Sequence, residues 1–139
     1  MPETDELLDA TTALIPPLLT ALDALRAAGR HMHPPMLAEL VDAIRPQHGG
    51  LVEGFDVFKN ATWPEHLETF VDCVNRSVGY ALRAFAQFEQ ALEAPQPAFI
   101  AYRAMGLTTK ATEALYPVAA MLPPVSRFYL EPQSRDNVE

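Results

Sequence analysis

The chain has 139 residues, 49% of them hydrophobic and 20% charged, with a formal net charge of −8. That length suits one domain with a real core, and the composition is too apolar for a disordered segment. With only ten Lys and Arg and no basic run, the chain is excluded as a general nucleic-acid binder, which needs cations to displace counterions, and is poorly suited to anionic membrane surfaces.

The first helical pattern runs from about Asp5 to Ala28. Leu8, Thr11, Ile15, Leu18, Leu22 and Leu25 hold helical phase across Pro16-Pro17. Each proline removes a backbone donor and crowds the preceding turn, so the preserved phase favours one kinked helix over two abutting ones. After Arg30-His31-Met32-His33-Pro34-Pro35, a second helix is expected from Pro35 to Arg45, with Met36, Leu37, Leu40, Val41 and Ile44 inward. Pro46 and Gln47-His48-Gly49-Gly50 read as a stop and a flexible turn. A short third helix, Leu51 to Asn60, would carry Leu51, Val52, Phe55 and Phe58.

The longest pattern lies between Thr62 and Pro95. Leu67, Val71, Val74, Val78, Ala81, Phe85, Phe88 and Leu92 alternate at spacings of four and three, one face of a helix. Thr62 and Glu65 have capping-box spacing, with Pro64 suited to a first turn. Such a helix would span roughly 45 Å and serve as the centre of the fold. Gly79 within it costs about 1 kcal/mol relative to alanine, which a close helix crossing would offset. Pro95-Gln96-Pro97 opens a further helix stopped near Gly106, and Leu107 to Leu122 is helical again with a kink at Pro117. No alternating strand pattern appears. The expected fold is all-α: an irregular bundle of five to six helices around one long central helix, with residues 1–130 as a single domain and 131–139 as a mobile polar tail.

The chemistry is less legible. His31, His33, His48 and His66 show no spacing that converges three ligands on one metal, and neither HExxH nor Glu-x-x-His occurs. Glu68 and Asp72 share a helix face and read as a solvated acidic stripe. Cys73, the sole cysteine, excludes an internal disulfide and reads as a small buried hydrophobe. Ser77, Ser126 and Ser134 lack the strand-turn-helix setting of an activated serine, and no glycine-rich phosphate loop is present. No cofactor is implied, and the chain reads as non-catalytic by itself. Trp63 is expected to anchor the edge of the core. The phenylalanines Phe55, Phe58, Phe70, Phe85, Phe88 and Phe99 read as core, with an apolar ligand cavity as the alternative. The acidic start Met1-Pro2-Glu3-Thr4-Asp5-Glu6 is unlike a secretory leader, and no apolar run is expected to span a membrane, so the default compartment is cytoplasmic.

One segment suggests a partner. Leu115-Tyr116-Pro117 through Leu122-Pro123-Pro124-Val125-Ser126-Arg127-Phe128, followed by Leu130-Glu131-Pro132, combines large apolar groups with rigid prolines. Together with Arg30-His31-Met32-His33-Pro34-Pro35 and Trp63-Pro64-Glu65, it resembles the helical region ahead of the catalytic domain in bacterial α/β-hydrolases of phospholipase or carboxylesterase type. In that family the catalytic serine, acid and histidine belong to the domain that follows, and no position here matches them. The resemblance implies an accessory module that contacts a hydrolase domain, in cis or in trans, through Tyr116, Pro123, Pro124, Arg127 and Phe128. The alternative from a different class is a free-standing bundle that binds a small apolar ligand or pairs with itself.

Overall fold

The computed structural model describes residues 2–30, 37–93, 95 and 97–121. Four α-helices follow one another: α1 (Pro2–Arg30), α2 (Leu37–Asn60), α3 (Glu68–Ala91) and α4 (Pro97–Ala114). Two 3-10 segments complete the order, Glu65–Leu67 ahead of α3 and Tyr116–Met121 after α4. Among the described residues there is no strand, and the chain is an all-α bundle. α2 is one element where the sequence pattern suggests two, and among the described helices α1, not α3, is the longest.

α1 passes through Pro16 and Pro17 as a single element. Ala10, Leu14, Leu18, Ala21, Leu25 and Ala28 repeat at helical spacing and are buried, mainly against α2. Continuous burial of this face outweighs the few backbone hydrogen bonds that two prolines remove. The same reasoning corrects the expected break at Pro46. α2 runs unbroken through Pro46, Gly49 and Gly50, because Val41, Ile44, His48, Leu51, Phe55 and Phe58 keep one helical phase across all three. Tertiary contact with α1 over that length overrides low local propensity.

α3 starts later than expected. Thr62-Trp63-Pro64 lies outside any helix, Pro64 is extended (φ −70°, ψ 156°), and neither the Glu65–Leu67 segment nor α3 has a side-chain cap at its N-terminus. The Thr62–Glu65 capping box therefore does not form, since an extended Pro64 carries the chain past the geometry it requires. Downstream the seam holds: Val74, Val78, Ala81, Phe85 and Phe88 are buried.

α4 continues through Gly106, the expected stop, and ends at Ala114 ahead of Pro117. Its inner face is built of small residues, Ala101, Ala104, Thr108, Ala111 and Thr112, which lets it lie close on α3. The Thr108 and Thr112 hydroxyls donate to the carbonyls of Ala104 (2.9 Å) and Thr108 (3.1 Å), so neither is buried unpaired. Arg26 of α1 donates to the Thr112 hydroxyl at 3.2 Å.

The bundle is thus two sequential helix pairs, α1 with α2 and α3 with α4, joined chiefly through α1 and α4. Between α2 and α3, Arg45 forms a two-point ion pair with Glu89 (2.8 and 3.0 Å). His48 stacks on Phe85 nearby, with ring centroids 4.8 Å apart. Gly79 faces open space and is not the close crossing it was expected to be. The close approaches are elsewhere: Gly54 of α2 abuts the Ala13 backbone of α1, and Gly29 abuts the Met105 side chain of α4. Between Glu6 and Gly29, α1 is long and apolar enough to cross a membrane by length and composition, where the sequence reading expected no such stretch. Leu14, Leu18, Leu22 and Leu25 of that stretch are completely enclosed by the bundle.

Candidate functional site

At the end of the bundle where α1 and α3 begin, two apolar seams run on past the packed core. Leu8 and Thr11 hold core phase in α1, and Leu67 does so ahead of α3, yet Leu8 is 62% exposed and the other two are half-buried. Between them lies a cleft of about 630 Å³. Leu7, Leu8 and Thr11 form one wall, and Thr62 to Pro64 with His66, Leu67 and Phe70 form the other. Met121, at the end of the described chain, completes the lining.

The α3 wall is rigidly supported. Trp63 packs on Phe58 (centroids 4.6 Å apart) and Phe70 (6.0 Å), and Phe58 lies 6.1 Å from Phe70. The indole N–H donates at 2.9 Å to the Phe58 carbonyl, which at the end of α2 also accepts from the Ala61 N–H at 3.3 Å. Trp63 therefore anchors the core edge, as its position in the sequence suggests, and also presents a face to the cleft. Opposite it, the Thr11 hydroxyl donates to the Leu7 carbonyl at 2.8 Å. The polar side chains left at the mouth are those of Thr62 and His66, both exposed.

Of the residues singled out from sequence, Tyr116 is exposed in the last 3-10 segment. Pro123, Pro124, Arg127 and Phe128 lie outside the described residues, as do His31, His33 and the tail 131–139. His48 and His66 are held apart, one stacked between α2 and α3 and the other at the cleft mouth. Among the described residues no three His, Cys, Asp or Glu side chains converge as a metal site would need. Cys73 is buried, and Glu68 and Asp72 are exposed. Phe58, Phe85 and Phe88 are core, Phe70 reaches the cleft, and Phe99 is on the surface with Arg103 over its ring at 5.0 Å.

The place of the cleft is not legible in the sequence, because Leu8, Thr11 and Leu67 are indistinguishable there from residues that find partners. The only available signal was their shared position at helix starts, where a seam can outrun the element packed against it. Fold and cleft together define an all-α bundle with an apolar recess at one end. Compared with family models, with curated proteins and with solved structures, the chain matches none.

Proposed function

We propose that the protein is a helical binding module that holds a small apolar ligand in its end cleft. The observation that supports this is the recess itself. Its volume lies within the usual range for small-molecule sites, its lining is mainly apolar, and its exposed polar side chains are those of Thr62 and His66. Burying a methylene contributes about 0.8 kcal/mol, so a chain with about ten methylenes enclosed would gain roughly 8 kcal/mol before the cost of association. Dissociation constants in the micromolar range or weaker are expected. Trp63 is the single tryptophan of the chain and lines the recess, so its fluorescence reports occupancy directly. Titration with dodecanol should give a saturable change and a rise in Tm, because a ligand bound only by the folded state stabilises it. Leu8→Asp, at an exposed position, should abolish both while the bundle stays folded. Absence of a saturable change would refute the reading.

A second reading is kept for one reason. Met121 and Tyr116 are exposed, and both belong to the apolar, proline-rich stretch that resembles a hydrolase-associated module. In that reading this face contacts an esterase-type catalytic domain or a second copy of the chain. Unchanged binding to a hydrolase domain after Arg127→Ala and Phe128→Ala would dispose of it.

A further inference from the structure

We infer that the occupant of the end cleft is an uncharged single-chain amphiphile, such as a fatty alcohol or a monoacyl ester, and not a fatty-acid or phospholipid anion. This rests on the cleft being a ligand site, as proposed above. Two of its hydrogen-bonding groups are already engaged within the protein: the Thr11 hydroxyl proton with Leu7 and the Trp63 N–H with Phe58. The Thr62 hydroxyl and the His66 imidazole are left, four residues apart along the chain and both exposed. They suit a hydroxyl or ester head group, with the alkyl chain directed toward Phe70 and Leu7.

No Lys or Arg is among the described lining residues. A carboxylate or phosphate brought against these walls would lose hydration and gain no cationic partner. The surrounding charge adds to that cost. Glu6 and Asp9 bracket Leu7-Leu8 in α1, and Glu65 and Glu68 bracket His66-Leu67, all four of them exposed. A helix is about 10–12 Å across and the screening length in physiological salt is about 8 Å, so these carboxylates act on the mouth through a partly screened field. Because none of them belongs to the lining, they repel an anionic head without offering a direct bond to a cationic one.

The test follows Trp63 fluorescence in the full chain with dodecanol, laurate and dodecyltrimethylammonium, each below its micelle concentration and in physiological salt. Dodecanol should bind about tenfold or more tightly than laurate, with the cation between them, and the gap should narrow at high salt. Asp9→Lys replaces a carboxylate beside the α1 wall, outside the lining, with a cation and should raise laurate affinity severalfold while leaving dodecanol nearly unchanged. Laurate or the cation binding as tightly as dodecanol to the native protein would overturn the head-group inference and leave the cleft reading standing. Failure of all three to bind would overturn both.

Discussion

Gly54→Ala is the sharpest test of how this bundle is held together. A Cβ at Gly54 would overlap the Ala13 carbonyl oxygen and stand 3.0 Å from Leu14 Cα and 3.1 Å from the Ala13 carbonyl carbon. All three are backbone atoms, so no side chain can rotate away. The position also matters chemically. In a regular helix the Ala13 carbonyl would accept from the N–H of residue 17, but Pro17 has none. The glycine gives that carbonyl room where α1 and α2 meet. Relieving the overlap would push the helices apart by roughly 1 Å, enough to forfeit a quarter to a half of the dispersion energy of the contacts affected. Overpacking of this kind costs about 1–3 kcal/mol, and backbone on both sides puts Gly54→Ala at or above the upper end. The helix-propensity gain of about 1 kcal/mol offsets part of it. The expected net loss is about 2 kcal/mol, equivalent to a fall in Tm of roughly 5–10 °C. Gly79→Ala is the matched control: nothing lies within 4 Å of its Cβ position, so the same substitution should stabilise by about 1 kcal/mol. Urea denaturation followed by circular dichroism compares the two through the midpoint at constant m-value. If Gly54→Ala were as stable as Gly79→Ala, the close α1–α2 approach would be wrong.

Two further substitutions probe the interior and the α2–α3 contact. Ser77 is fully buried in α3 and its hydroxyl has no hydrogen-bond partner, so Ser77→Ala should stabilise by about 1 kcal/mol in urea melts; a clear loss of stability would mean that the hydroxyl is satisfied. The Glu89 carboxyl is held below the ordinary glutamate value, first by its hydrogen bond from Arg45 and then by the positive charges of Arg45 and His48, against an opposing effect of burial. With the folded value below the unfolded one, its stabilisation is complete above the ordinary carboxylate range, about 4.3, and is lost as pH falls through the lower folded value. Both side chains are half-exposed, so the effect at neutral pH is small. Glu89→Gln should therefore change Tm little at pH 7 and flatten its decline on acidification, and an unaltered acid limb would show that the ion pair contributes nothing.

The amino-acid sequence by itself determined the helical class and most of the inward faces. The three-and-four spacing of Leu14 to Leu25 and of Val74 to Phe88 admits only helices with one buried side. It also carried the continuity of α2, through Val41, His48 and Phe58, but local punctuation at Pro46 and Gly49-Gly50 pointed the other way. A proline deletes one backbone hydrogen bond, whereas a face packed over about five turns gains along its whole length, so the long-range term prevailed. Only the tertiary structure decided which glycine is required. Gly54 and Gly79 look alike as letters, and the difference between them is whether a neighbouring backbone occupies the space of a Cβ. It likewise decided where the apolar seams stop being covered. Leu8, Thr11 and Leu67 carry the same pattern as the core, and their use in a cleft follows from where the packed helices end. Periodicity states which side of a helix faces inward, but not what stands opposite it.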